Sequence, residues 1–325
     1  MRPEHSVFSA KILLFGEFTV IFDSKALTIP YSFFNGHISY IGEDKYTRYD
    51  MAVLSNNELV SYLDYLNENR SLCDAAAIDL EAFRNDVNEG LYFESNIPKG
   101  YGVGSSGALV AALYERYSRN RIMAGEAGAL KKLKYIFSLM ESYYHGTSSG
   151  MDPLNCYIGE PLLFSNNDNI KRVSVPHHEN NGDGAIFLIN SGYPSTTGPL
   201  VEIFMKKTLD AGYKRRIIEE AIPLNDICID QITGGNMINF FENLGKMSAL
   251  QLSIFREMIP DGFVSIWNRG LETGEFSLKL CGSGGGGFLL GFTRDYHIAA
   301  DIMKSEGFEI MPVFKNSSFR TKHSD

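Results

Sequence analysis

Pro98-Lys99-Gly100-Tyr101-Gly102-Val103-Gly104-Ser105-Ser106-Gly107-Ala108 is the stretch on which the reading of this chain turns. Glycines at the alternate positions 100, 102 and 104 allow successive backbone N–H groups to turn inward as an anion-binding nest. The run Ala108 to Tyr114 is rich in helix formers, and the Ser105-Ser106 pair stands where it can cap that helix. A helix N-terminus there adds its positive dipole end. Polyphosphate is the natural guest, and Ser105 or Ser106 can offer a hydroxyl to the magnesium that travels with ATP. The stretch is not a P-loop, because no lysine follows the final glycine, and its spacing fits the dinucleotide fingerprint poorly. A tight glycine turn with a serine cap is the plain structural alternative.

Three further stretches carry chemistry. Glu141 and Asp152 stand eleven residues apart, the first ending a helix predicted over 127–144, the second after a Ser-Ser-Gly turn. A carboxylate on a helix end and one on a following loop can converge on one cavity. Phosphoryl transfer needs that division: one carboxylate holds the metal, the other receives or orients the hydroxyl proton. Taken singly, each is as well read as a solvated helix residue or a turn former. Five of the six residues from Gly282 to Gly287 are glycine, which brings backbone close to a ligand or to the facing glycine loop. Lys11 lies inside the apolar strand 10–15, with Gly16-Glu17 just after it. A lysine there is costly unless paired, or it is an edge residue that reaches water.

The 325 residues are 44% hydrophobic and 21% charged, the composition of a folded globular chain. A net charge of -9 argues against nucleic acid or an anionic membrane as partner. Four scattered cysteines without a CxxC pair read as free thiols of a reducing cytoplasm. The N-terminus does not read as a signal peptide, and no stretch reads as membrane-spanning, so a cytoplasmic location is expected. Strands are predicted at 10–15, 26–31, 91–96, 184–190, 276–280, 288–292 and near 308–314. Helices are predicted over 56–90, 127–144, most of 199–260, and 297–306. The polar stretch 178–184 is the expected domain boundary. Strands and helices without regular alternation favour an α+β fold.

Together these elements, in this order, resemble the GHMP kinase superfamily over about residues 10 to 292. Within it the segments are most like those of mevalonate kinases. Lys11-Ile12-Leu13-Leu14-Phe15-Gly16-Glu17 is similar to that family's opening, and Glu141, His145-Gly146, Ser149-Gly150 and Asp152 match its acidic segment. Pro194-Ser195-Thr196-Thr197 is similar to a second-domain segment carrying a threonine near the active site. The chain departs from the family at Phe18, where a histidine is usual, at Gly107, where alanine is common, and at Pro153, where asparagine is usual.

The resemblance implies a two-lobed α+β fold: an N-terminal lobe like the second domain of ribosomal protein S5 over 1–180, and a ferredoxin-like C-terminal lobe over 181–325. It implies ATP and Mg2+ as cofactors, and transfer of the γ-phosphate to a small alcohol, mevalonate first. A sugar, homoserine or phosphomevalonate is the alternative acceptor, and a nonenzymatic metabolite-binding relative is the alternative class. Asp152 would be the base, with Lys11 beside it holding it ionised. Glu141 and Ser106 would bind the metal. Pro98, Gly100, Gly102, Gly104, Ser105 and Ser106 would cradle the phosphates, with Gly284 and Gly285 supporting the nucleotide. Glu17, Phe18, His145 and Thr197 would face the acceptor. A homodimer is an assembly open to such a chain.

Overall fold

In the computed structural model the described residues are 6–42, 48–165, 169–175 and 184–315. They fall into two compact units: Met1–Ile12, Thr28–Pro98 and Val103–Glu160 make the first, and Leu13–Leu27, Lys99–Gly102 and Pro161–Asp325 the second. The boundary expected within 178–183 lies outside the described residues. The units are therefore interleaved in sequence.

The chain opens with two adjacent strands, β1 (Phe8–Phe15) and β2 (Ala26–Tyr40). β2 continues nine residues past the end expected at Tyr31, because β3 (Leu91–Ser95) pairs antiparallel with its far half, Gly36 opposite Ser95 and Tyr40 opposite Leu91. The single helical stretch expected over 56–90 is three helices: α1 (Tyr49–Glu68), α2 (Arg70–Ala76) and α3 (Leu80–Asn88). Non-helical backbone at Asn69 and a left-handed Ala77 separate them, and the Asp79 carboxylate caps α3 by accepting the Ala82 N–H. Leu59, Tyr62, Leu63 and Leu66 form the buried face of α1, as their spacing predicts.

The rest of the first unit is α4 (Ser105–Tyr117), α5 (Ala129–His145) and α6 (Met151–Ile158). α4 is buried from Gly107 through Tyr114, so it is apolar all round, and α5 and α6 pack on it.

The second unit begins with a hairpin not foreseen from the sequence, β4 (Leu162–Ser165) against β5 (Asn169–Arg172). Its main sheet is antiparallel, in the order β7-β8-β6-β9: β6 (Ala185–Asn190), β7 (Phe276–Leu280), β8 (Phe288–Thr293) and β9 (Ile310–Lys315). Five helices connect β6 to β7: α7 (Thr197–Lys207), α8 (Ala211–Arg216), α9 (Ile222–Thr233), α10 (Met237–Ile254) and α11 (Val264–Thr273). A π turn at Ile217–Ala221 joins α8 to α9. Pro223, two residues beyond it, has no N–H to continue the regular ladder. α12 (Tyr296–Ser305) connects β8 to β9. Phe187, Ile189, Phe204, Trp267, Leu278 and Leu289 lie at the centre of this core. The mixed, non-alternating α+β organisation is the one expected.

All four cysteines are buried free thiols. Among the described residues no helix is long and apolar enough to cross a membrane.

The second core contains an ion pair that the sequence reading passed over. Lys279 Nζ lies 2.5 Å from Glu17 Oε1, with side chains 0% and 1% exposed. Lys279 also donates to the Leu280 carbonyl at 2.8 Å and sits over the Phe15 ring. Removing one partner leaves the other charge buried, so Lys279→Met is expected to cost about 3–5 kcal/mol in urea unfolding. The double variant Glu17→Met/Lys279→Met recovers most of that loss if the cost comes from the orphaned charge.

Candidate active site

β1 carries Lys11 into the interior of the first unit, where it is 3% exposed. Its Nζ lies 2.9 Å from Asp152 Oδ1. The Lys11 N–H donates to the Val103 carbonyl at 3.0 Å, so the backbone of β1 holds the end of the glycine loop. Gly104 is required there twice over. Its φ of 78° is left-handed, and a Cβ would lie 2.8 Å from Lys11 Cγ.

α4 starts directly after this contact. The cap expected of the serine pair is not made: Gly104 is the N-cap residue, and no side chain caps the helix. Both serines already lie in the first turn. Ser105 is half-buried, while the Ser106 hydroxyl donates to Glu141 Oε1 at 3.0 Å.

Asp152, expected on a loop, stands in the first turn of α6. Gly150 provides a left-handed N-cap, and Pro153 is tolerated because the first helical N–H groups have no partner in the helix. The carboxylate thus sits at the positive end of α6. α4 approaches closely here: a Cβ on Gly107 would lie 2.9 Å from the Asp152 carbonyl carbon and from Pro153 N. That contact explains glycine where the family commonly has alanine.

Glu141, in the last two turns of α5, is 3% exposed. Ser106 donates to its Oε1, and Ser148 donates to its Oε2. Burial pushes its carboxyl up from 4.5 to about 7, and the nearby Asp152 charge adds to the rise; the two serine hydroxyls and Lys11 oppose it. His145 Nε2 lies 3.2 Å from Ser106 Oγ. The Ser106 proton is directed at Glu141, so His145 completes the contact by donating its Nε2–H to Ser106 Oγ. Burial holds this imidazole below its ordinary range, and the Asp152 carboxylate pulls the other way.

The first unit therefore brings together Lys11, Gly104, Ser106, Glu141, His145 and Asp152. Pro98 also belongs to this unit, half-buried, just before the glycine turns.

The remaining expected residues lie in the second unit. Gly100 and Gly102 have φ of 77° and 76°. The Gly100 carbonyl accepts the Ser195 N–H at 2.8 Å, and a Cβ on Gly102 would meet the Cys281 carbonyl at 2.9 Å. The loop 282–287 closely approaches the facing glycine loop: a Cβ on Gly287 would lie 2.6 Å from Tyr101 Cα. The Gly285 N–H donates to the Met258 carbonyl at 2.6 Å, so that amide is engaged within the protein, beside Gly284. Thr197 is exposed at the start of α7, and its Oγ1 lies 3.2 Å from Ser283 Oγ. Glu17 and Phe18 are not brought to a surface. Glu17 pairs with Lys279, and Phe18, at φ 58°, packs between Phe204 and Phe255 with ring centroids 4.8 and 5.2 Å away.

Ser148 and Lys279 are the polar residues the sequence reading missed. Lys279 carried the signal that flagged Lys11, a lysine within an apolar strand. Ser148 carried none, since nothing local says where a loop hydroxyl points.

Residues 70–160 match the family model for the GHMP kinases N terminal domain. Solved structures match over nearly the whole chain. Leishmania major mevalonate kinase in complex with R-mevalonate aligns at 16% identity and a TM-score of 0.62, covering 95% of each chain. Streptococcus pneumoniae phosphomevalonate kinase in complex with phosphomevalonate and AMPPNP aligns at 12% identity and a TM-score of 0.63, over 95% of this chain and 100% of its own. Lactococcus lactis galactokinase complexed with galactose aligns at 13% identity and a TM-score of 0.58, over 96% and 94%. The chain has the fold of the GHMP kinases, and its residues 70–160 resemble their N-terminal domain. No curated protein matches the chain.

In a chain of GHMP kinase fold, the residues present suit magnesium. Among the described residues no three His, Cys, Asp or Glu side chains gather to hold a metal. A carboxylate and a hydroxyl, Glu141 and Ser106, are nevertheless the hard-oxygen donors that suit Mg2+, which keeps waters and phosphate oxygens as its other ligands. The raised carboxyl of Glu141 beside Asp152 also marks a place where a cation would relieve repulsion.

Two outcomes are expected. Gly107→Ala forces α4 off the α6 N-terminus and costs about 1–3 kcal/mol by urea unfolding. Glu141 makes the metal-free protein pH-sensitive. Its folded value lies above its unfolded one, so its contribution to stability is complete below about 4.5 and is lost as pH rises through about 7. Thermal melts from pH 4.5 to 8 should show that decline, and Glu141→Gln should flatten it.

Proposed function

We propose that this chain is an ATP-dependent kinase that transfers the γ-phosphoryl group to the hydroxyl of a small alcohol, with mevalonate the leading acceptor. The Lys11–Asp152 pair at 2.9 Å, in the same unit as the buried Glu141–Ser106 pair, is the observation that carries this reading. An aspartate with an amine beside it suits removal of a hydroxyl proton. Asp152 takes that proton as the acceptor oxygen bonds to the γ-phosphorus. The bond from that phosphorus to the bridging oxygen breaks, and ADP leaves with the electron pair. Lys11 keeps Asp152 oriented and offsets the negative charge that gathers around it. N–H groups of the first turn of α4, just after Gly104, bind phosphate oxygens. Glu141 and Ser106 would hold Mg2+, which when bound neutralises phosphate charge.

The similarity of the 11–17 and 141–152 segments to mevalonate kinases makes mevalonate the leading acceptor, while the matching solved structures support the kinase fold. Galactose, homoserine and phosphomevalonate are the comparators.

ADP release measured against those four acceptors is expected to be fastest with mevalonate and to vanish with EDTA. Turnover confined to another alcohol would remove mevalonate while keeping the kinase, and no turnover with any alcohol would sink the reading. Asp152→Asn is expected to lower kcat by about 10²–10⁴-fold while nucleotide binding persists. Full activity in that variant would take Asp152 out of the mechanism.

A further inference from the structure

Ser148 lies in the turn that links Glu141 to Asp152 along the chain, and what it does there rests on the kinase reading. Its Oγ–H donates to Glu141 Oε2, and the same oxygen accepts the Gly150 N–H at 3.0 Å. Ser106 meanwhile donates to Oε1. A carboxylate that is 3% exposed is thus held at each oxygen by a different hydroxyl, one from α4 and one from the turn between α5 and α6.

The two serines are not equivalent. Ser106 lies in the first turn of α4, where phosphate is expected, and its oxygen also meets His145 Nε2. Ser148 has both its proton and a lone pair committed within the protein, to Glu141 and to Gly150. Gly150 has no room for a side chain: it is left-handed at φ 71°, and a Cβ there would lie 2.1 Å from the Lys134 carbonyl of α5. The turn therefore rests on the backbone of α5, and two residues further on it delivers Asp152.

We propose that Ser148 is a positioning residue that touches neither substrate nor metal: by bridging Glu141 to the Gly150 turn, it fixes the metal-holding carboxylate relative to the proton-accepting one. Its hydroxyl also favours the charged form of Glu141, the form a cation requires. A side chain that orients a metal ligand in this way typically contributes about 10–100-fold to metal affinity.

The test is Mn2+ titration of the full chain with a nonhydrolysable ATP analogue, read by electron paramagnetic resonance, together with the metal dependence of turnover. Ser148→Ala is expected to weaken Mn2+ binding by about tenfold or more. It should raise the metal concentration at half-maximal rate more than it lowers the rate at saturating metal. Ser148→Thr keeps the hydroxyl and should restore both. In a Glu141→Gln background the alanine change should add nothing. Wild-type Mn2+ affinity in Ser148→Ala, or an equal loss in the Glu141→Gln background, would overturn the assignment while leaving the kinase intact. A wild-type chain that binds no Mn2+ with the nucleotide would overturn the kinase reading itself, and this assignment with it. If Ser148→Ala does not fold, Ser148→Cys, close in size with a weaker donor, must show the same affinity loss, and unchanged affinity there counts against the bridge.

Discussion

A lysine ammonium in the middle of an apolar strand has to be matched by a negative group, and the first unit is organised around that requirement. Lys11 is 3% exposed and its ammonium reaches Asp152 at 2.9 Å. Asp152 is brought there by the N-terminus of α6, against which α4 packs at Gly107. The stem of the same lysine fills the space that Gly104 leaves open. Glycine loop, acidic turn and first strand are thus three sides of one contact, and altering any of them disturbs the others.

The second carboxylate shows how burial and polarity are balanced. Glu141 lies in a place that disfavours its charge, next to another carboxylate, yet each oxygen is met by a hydroxyl. The donors keep the group oriented, and its raised carboxyl value records first its burial and then the neighbouring carboxylate. The second unit meets a similar problem with an ion pair. There Glu17 and Lys279 neutralise each other completely inside an aromatic and aliphatic core.

Much of the site was legible in the sequence because its residues break local rules. A lysine amid Ala10, Ile12, Leu13 and Leu14, glycines at every second position, and five glycines in six residues stand out in combination, although an edge lysine or a plain glycine turn could account for each singly. The helix rows of α1 and α5 follow their apolar spacing. What went astray was decided elsewhere. Residues 56–90 break into three helices, at Asn69 and at a left-handed Ala77 that no residue type announces. Asp152 belongs to a helix whose first turn accommodates Pro153. The serine pair does not cap α4, because both serines already lie inside its first turn and Gly104 takes the N-cap position.

By itself the sequence singled out Lys11, the glycine runs and the apolar faces. These are matters of side-chain chemistry and local periodicity, so they can be read from neighbours along the chain. Only the tertiary structure decided the partners. Lys11 finds Asp152, Glu141 finds Ser148 as well as Ser106, and Lys279 finds Glu17, 262 residues away in sequence. It also took Glu17 and Phe18 into a core. A buried charge specifies that it must have a counterpart, but which one lies within 3 Å is set by how helices and strands pack, and no local pattern encodes that.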